Sequence, residues 1–248
     1  MKSLLAGVFA LLSVAGGLAS EGREPVLVEL FTSEGCSSCP PADALIESLQ
    51  RNQPVDGVQI IPLALHVDYF DRLGWKDPFS SASFTGRQQD YAEIFGPDSV
   101  YTPQVVVDGT EAVPGNEPDQ VRHAIATAAD RVHLPVRVSP HPAGGSVHLS
   151  IDVPPSPGDG EQIQVIAAIT QDDVTSIVKR GENKGRTLHH IAVVRRIQRV
   201  GALTSSASVL DARLPIERAW GPNVKAVVWL QAPSSRRVYG TAVADVPR

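Results

Sequence analysis

The most constraining feature of the sequence is a pair of cysteines three positions apart, placed between a predicted strand and a predicted helix. Cys36 and Cys39 are the only cysteines of the 248-residue chain. The apolar run 25–31 predicts a buried strand, and residues 40–49 have helical periodicity. A disulfide across so short a loop closes too little chain to stabilise a protein of this size. The spacing therefore favours a reactive pair over a structural cross-link.

The position of Cys36 before a helix favours thiol chemistry. Unpaired N–H groups and the helix dipole favour an anion at a helix N-terminus, so the pKa of the Cys36 thiol is expected to fall. We predict that Cys36 attacks a partner disulfide and that Cys39 releases the mixed disulfide. Ser37 and Ser38 lie between the cysteines and are expected to contact the partner.

The order of predicted elements divides the chain into two domains. Residues 21–132 follow the order β-α-β-α-β-β-α, which predicts an α/β domain with a mixed sheet and helices on both faces. Residues 133–248 contain short alternating runs separated by turn residues, which predict an all-β, sandwich-like domain. The first domain is acidic and the second basic, whereas the whole chain has a net charge of −5.

The N-terminal segment predicts export. Lys2 precedes an uncharged, mostly apolar run that ends in small residues, so residues 1–20 are expected to be a signal peptide cleaved after Ala19 or Ser20. An uncleaved anchor is the alternative, but the run is short for a membrane span. We expect a periplasmic or secreted protein with no stable membrane insertion after cleavage. In an oxidising compartment paired cysteines form either a structural disulfide or a redox centre.

Several segments resemble a secreted bacterial thioredoxin-like family that is catalogued as a domain of unknown function. The resemblance spans nearly the whole chain after the signal peptide and implies a thioredoxin-like fold for residues 21–132 with thiol redox activity. Thioredoxins often have a tryptophan before the first cysteine, where this chain has Gly35. The segments that carry the resemblance are 29–43, 66–69, 73–78, 101–104, 183, 185–188 and 193–195.

The thioredoxin-like resemblance implies roles for three further residues. It implies a cis bond between Thr102 and Pro103, facing the cysteines, which would leave the backbone of Thr102 free to pair with an extended partner. An ordinary trans proline at a sheet edge is the alternative. Glu29 precedes Cys36 by seven residues. Glu29 is expected either beneath the cysteines, with a raised pKa and a role in proton transfer, or facing solvent.

Three more residues are candidates for the mouth of the site. His66 and Asp68 end a predicted strand, at the sheet edge where α/β folds place ligands, and they are expected to line the site. Trp75 lies in a segment that either forms a substrate-contacting lip or packs as a core anchor. His66 with the two cysteines could also hold copper or zinc, which makes a metal carrier one alternative function. We predict no bound metal and no cofactor.

These observations predict an exported thiol–disulfide oxidoreductase. Its partners are expected to be protein or small-molecule thiols and disulfides, together with a separate redox partner because no donor domain is fused to the chain. A non-catalytic binding module with a structural disulfide is the second alternative. No nucleic-acid partner is expected, because the chain is mildly acidic and lacks a stripe of basic and aromatic residues.

Overall fold

The computed structural model describes residues 22–158 and 160–247. The predicted signal peptide, residues 1–20, lies outside the described residues. Within these ranges, no helix is long and apolar enough to cross a membrane. The main elements are, in chain order, β1 (Glu24–Thr32), α1 (Pro40–Asn52), β2 (Val58–His66), α2 (Ala82–Phe95), β3 (Gln104–Val107), β4 (Glu111–Pro114), α3 (Pro118–Ala129), β5 (Arg137–Pro142), β6 (Ser146–Val153), β7 (Gln164–Gln171), β8 (Val174–Ile177), β9 (Thr187–His190), β10 (Val193–Ala202), β11 (Ser208–Pro215), β12 (Val224–Gln231) and β13 (Val238–Asp245).

The first part of the chain is a mixed sheet with helices on both faces, as predicted. β1 is parallel to β2 and antiparallel to β3, and β3 is antiparallel to β4. Successive side chains of a strand point to opposite faces. Val26, Val28 and Leu30 of β1 therefore belong to the core cluster of α1 and α3, whereas Leu27 and Phe31 belong to that of α2.

The strands of the second part continue this same sheet. The eight-stranded sheet has the order β13-β12-β7-β10-β2-β1-β3-β4. β10 joins β2 in parallel where Val193 pairs with Ala64. The predicted boundary at residue 133 therefore marks a change from α/β to all-β structure but no break between sheets. The contact is short, because β10 pairs with the buried strand β2 at this one position.

The sandwich-like feature of the second part is a smaller sheet stacked on the large one. This three-stranded sheet has the order β11-β6-β5. Leu149 and Ile151 of β6 share an apolar cluster with Val165 and Ala167 of β7. The opposite face of the large sheet there includes Trp229 of β12, which belongs to the cluster around α2. Independent folding of residues 133–248 stays a prediction.

Candidate functional site

The two cysteines form a disulfide between the end of β1 and the start of α1. Their Cα atoms are 5.4 Å apart, and Cys39 is the N-cap residue of the 13-residue helix α1. Both sulfurs therefore lie at the N-terminal end of a helix. Cys36 is 2% exposed and Cys39 is fully buried. Ser37 and Ser38 are exposed, so the serines form the surface of the loop above the sulfurs.

The segment Thr102-Pro103 lies against the cysteine loop. The carbonyl oxygen of Thr102 is 3.9 Å from Cys36 Sγ, and the bond between Thr102 and Pro103 is cis. Ser38 Oγ is 3.3 Å from the same sulfur on the loop side. The structure thus brings these three predicted partner-contacting residues together with the cysteine pair.

A turn from the second part of the chain, residues 181–186 and here called the Asn183 turn, holds the cysteine loop, residues 33–39, in place. The side chain of Asn183 is fully buried, and its Nδ2 donates hydrogen bonds of 2.8 Å to the carbonyl oxygens of Glu34 and Cys36. Glu182 Oε2 accepts the backbone N–H of Ser37 at 3.0 Å. Sequence reasoning missed this contact, because a polar segment rich in glycine is equally typical of a solvent-exposed turn.

Beneath the loop lies a group of buried ionisable side chains, here called the His66 cluster. Asp77 Oδ2 is 2.7 Å from His66 Nδ1 and accepts the backbone N–H of Glu34 at 2.8 Å. Glu34 Oε1 is 3.2 Å from His190 Nε2, and the two imidazole rings are 4.9 Å apart. Its members are Glu34, Asp43, His66, Asp77 and His190.

Asp43 connects the His66 cluster to the helix that carries the cysteines. It lies in the first turn of α1, where its backbone N–H donates to the carbonyl oxygen of Cys39 at 3.1 Å. Its Oδ1 accepts a hydrogen bond from the Thr32 hydroxyl at 2.9 Å, and its Oδ2 is 3.9 Å from His190 Nδ1. The cluster therefore reaches the base of the disulfide through one turn of helix.

The protonation of the His66 cluster is set by burial and by the opposite charges within it. Burial disfavours the imidazolium of His66, but the charge and hydrogen bond of Asp77, together with the charges of Asp43 and Glu34, outweigh burial and raise the pKa of His66. Burial disfavours the carboxylate of Asp77, yet His66 holds the pKa of Asp77 below its usual value. Burial raises the pKa of Asp43 against the charges of His190 and His66. His66 Nε2 is buried with no hydrogen-bond partner among the described residues.

Glu29 lies elsewhere. It is fully buried, which was one of its two predicted environments, but it faces α2 whereas the cysteine helix α1 packs on the other side of the sheet. Arg87 donates to both Glu29 oxygens, at 2.5 and 2.8 Å, and the Tyr91 hydroxyl donates at 2.5 Å. None of these contacts reaches a cysteine. The predicted proton-transfer role of Glu29 therefore has no support in the geometry.

Of the other three candidates, His66 and Asp68 do not line the mouth of the site as expected, whereas Trp75 takes the second of its two expected roles. His66 is fully buried in its cluster and does not line a mouth. Asp68 ties the end of β2 to α2, because its backbone N–H donates to Thr85 Oγ1 and its carboxylate accepts from the Thr85 hydroxyl at 2.6 Å. Trp75 is half-buried and donates to Glu34 at 2.7 Å. It thus anchors its segment to the His66 cluster.

The alternative of a metal carrier required the two cysteines and His66 to form a ligand set. In the described part of the chain, no group of three or more histidine, cysteine, aspartate or glutamate side chains is arranged to hold a metal ion. His66 instead directs Nδ1 to Asp77. The three residues therefore do not form the predicted ligand set.

Comparison with known proteins places the chain in a family. Residues 27–231 match the family described as protein of unknown function (DUF1223). The chain belongs to the DUF1223 family. The matched region of this DUF1223 protein includes the cysteine loop, the His66 cluster and the Asn183 turn. A comparison with curated proteins gives no match.

Two solved structures share the fold of this DUF1223 protein. A crystal structure from Agrobacterium tumefaciens is 27% identical, with a TM-score of 0.69, and covers 91% of this chain and 96% of its own. HBP35 of Porphyromonas gingivalis is 12% identical, with a TM-score of 0.66, over 90% of this chain and 76% of its own. The second likeness concerns the fold alone. Both matches extend over the two parts of the chain, so the similarity includes the second part.

Proposed function

We propose that this protein is an exported thiol–disulfide oxidoreductase whose first part, residues 21–132, is thioredoxin-like. The observation that carries the proposal is that its only two cysteines form a disulfide at a helix N-terminus, beside the carbonyl group of Thr102. The order β4-β3-β1-β2, with β1 and β2 parallel, supports the thioredoxin-like assignment. The N-terminal apolar run supports export to an oxidising compartment.

The proposed reaction exchanges one disulfide for another. The thiolate of reduced Cys36 attacks one sulfur of a partner disulfide, so a mixed disulfide forms and the other partner sulfur leaves as a thiolate. Cys39 then attacks the Cys36 sulfur, which regenerates the Cys36–Cys39 disulfide and releases the second partner thiolate. Two electrons pass to the partner. The same steps in reverse oxidise a partner dithiol.

Exposure and proton supply assign the remaining roles. Cys36 is the attacking residue because its sulfur lies beside the exposed Ser38 and the carbonyl oxygen of Thr102, where the partner would bind. An extended partner would lie along Thr102 and Pro103 and over the exposed serines of the loop. Proton transfer at Cys39 is assigned to Asp43, which replaces Glu29 in this role. Asp43 lies one helical turn after Cys39, and burial raises its pKa, which suits a group that must both hold and release a proton. Its carboxylate contacts Thr32 and His190 and not the sulfur, so we assign the transfer to a bridging water between Asp43 and Cys39.

A binding module with a structural disulfide is the second candidate, and one observation favours it. Cys36 is only 2% exposed, and Asn183 holds its carbonyl oxygen from the second part of the chain. A partner can reach the sulfur only if the loop opens locally. A purely structural disulfide needs no such opening.

Two measurements separate these candidates. The first is the reduction potential of the cysteine pair in glutathione buffers of defined ratio. An oxidoreductase is expected between about −270 and −120 mV, whereas a structural disulfide lies below about −300 mV. The second is the reaction of reduced Cys39→Ser with oxidised glutathione, followed by mass spectrometry. We expect one bound glutathione on Cys36 and far slower addition to the matched variant Cys36→Ser. A potential below about −300 mV without adduct formation would refute the proposal.

A further inference from the structure

A polar cavity of about 480 Å³ lies between the start of α2 and strand β10. Its volume is within the range of small-molecule sites, roughly 300–1,000 Å³. Hydroxyl groups from the start of α2 line one side. The other walls combine aromatic rings with charged side chains, namely Phe79, Phe84, Arg195, Arg196, Glu217 and Trp220.

Arg195 is the cavity residue whose charge is unpaired. Its guanidinium carbon lies 4.9 Å from the ring centre of Phe79 and 5.4 Å from that of Trp220. The rings stabilise the cation through their faces, but they accept no conventional hydrogen bond. Among the described residues Arg195 forms no ion pair, and its Nε is buried without an acceptor. A ligand cannot reach this enclosed nitrogen, so the donors open to the cavity are the terminal guanidinium nitrogens of Arg195.

The surrounding charges leave the cavity positive. Glu217 is the carboxylate in the wall, and it accepts a hydrogen bond from Arg196 at 2.9 Å. Arg196 also lies 5.1 Å from the ring centre of Trp220. Glu217 also interacts electrostatically with Arg195, so two arginines share one carboxylate and one positive charge is in excess. The N-terminus of α2, capped by Ser81, adds partial positive charge on the same side.

We propose that this cavity binds a small organic anion, with its carboxylate on Arg195 and its apolar part against Phe79, Phe84 and Trp220. The planar guanidinium donates to both oxygens of a carboxylate more effectively than an ammonium group does. The volume favours an organic anion over an inorganic one, because an inorganic ion would leave most of the cavity unfilled. The rings contribute their edges to the wall, since Arg195 and Arg196 cover the faces of Phe79 and Trp220. The site is separate from the disulfide, and its occupancy does not depend on the redox proposal.

Benzoate is the probe for this site, and benzamide is its uncharged control. Binding is followed by calorimetry and by tryptophan fluorescence, because Trp220 lies in the cavity wall. We expect saturable binding of benzoate and at least tenfold weaker binding of benzamide. Arg195→Gln should weaken benzoate binding at least tenfold. Arg199→Gln, an exposed position on the same strand outside the cavity wall, should leave it unchanged.

Further outcomes decide against the proposal. Absence of saturation with benzoate, or equal affinity in Arg195→Gln and the natural protein, would overturn it. Binding of inorganic phosphate without binding of benzoate would also contradict it, because the site would then take an inorganic anion. If Arg195→Gln does not fold, Ser83→Trp at an exposed position of α2 in the wall should block benzoate. Cys36→Ser should bind benzoate normally, so failure of the redox proposal stays distinguishable.

Discussion

Two buried groups of charged side chains lie on opposite faces of the sheet, and they differ in how completely their charges are matched. In the first, Arg87 donates hydrogen bonds to Glu29, Tyr91 and Gln231. Gln231 in turn donates a hydrogen bond to the Tyr91 hydroxyl. One cation meets one carboxylate, and the pKa of Arg87 is raised by Glu29 in spite of burial. In this set of side chains, here called the Glu29 group, the charges are matched one to one.

The His66 cluster has three carboxylates facing two imidazoles and an unpartnered His66 Nε2. Its charges are not matched one to one: the pKa values of Asp43 and His66 are raised, and that of Asp77 is lowered. A buried carboxylate paired with one cation stabilises a single structure. An unequal number of carboxylates and imidazoles gains or loses a proton with little movement of the side chains. The comparison therefore assigns stability to the Glu29 group and proton exchange to the His66 cluster. The predictions below test that division.

The largest effect is expected for Glu29→Gln. Removing this carboxylate leaves Arg87 buried without its counter-charge, which should lower the free energy of unfolding by about 3–5 kcal/mol. Urea denaturation measures the loss. Because Glu29 contacts neither cysteine, the reduction potential of the folded fraction should not change. A shifted potential would contradict the division between the two groups.

A double variant provides the control. Glu29→Leu combined with Arg87→Met replaces both charges with apolar groups, which is often neutral or stabilising for buried pairs. This protein should be more stable than Glu29→Gln alone. If it is equally unstable, the shape of the site and not its charge accounts for the loss.

The same comparison shows what the sequence can and cannot predict. Local signals placed the elements well, since the run 25–31 became β1 and the predicted helix 40–49 became α1. The pairing of β10 with β2 was missed, because alternation shows which side of a strand is buried but not which strand lies beside it. The two-domain reading of the chain depended on that missing information.

The site residues divide in the same way: those with a local signal were predictable, and those joined by long-range contacts were not. The cysteine pair and Thr102 were predictable from spacing and from the resemblance. The His66 cluster was not, because Glu34 and His190 are 156 positions apart in the sequence. The signal that could have indicated it is the acidic pair Glu34 and Asp43 on either side of the cysteines, since buried carboxylates require cationic partners. Glu29 was misassigned because its true partner, Arg87, is 58 positions away.

The next largest effect is expected for Asn183→Ala. Two buried carbonyl groups, those of Glu34 and Cys36, lose their donor, which should cost about 1–3 kcal/mol of unfolding free energy. The loop should also open more often, so reduced Cys36 should react faster with iodoacetamide. Asn223→Ala is the matched control, because Asn223 donates to Asp173 at an exposed site. Slower alkylation in Asn183→Ala would show that the turn does not restrict access.

His66→Gln tests proton binding in the cluster through the pH dependence of stability. The pKa of His66 is raised in the folded protein, so protonated His66 stabilises the fold fully below its unfolded pKa of about 6.5. That stability is lost as pH rises through the folded pKa, with a slope of up to about 1.4 kcal/mol per pH unit. The stability difference between the natural protein and His66→Gln should therefore be largest below about pH 6.5 and shrink as the pH rises above that value.

The neighbours of His66 define how this result is interpreted. Asp77 has a lowered pKa, so its contribution is lost only at acid pH, below this window. Asp43, Glu34 and His190 face the same ring system and stay in place in the variant. His123→Gln, at an exposed position of α3, should keep the slope of the natural protein. A pH-independent difference for His66→Gln would show that His66 does not exchange a proton in this range.

The smallest effect is expected for Glu182→Gln at the surface of the loop. Glutamine still accepts the N–H of Ser37 but removes the exposed negative charge beside the cysteine pair. Reduced Cys36 should react about twofold faster with a dianionic aromatic disulfide at low salt, and the difference should vanish at high salt because exposed charges are screened. A neutral disulfide should react at an unchanged rate. An equal acceleration with the neutral reagent would mean that the variant opens the loop and does not act through charge. The expected effect is small because water surrounds this carboxylate, whereas the carboxylate of Glu29 is buried against Arg87.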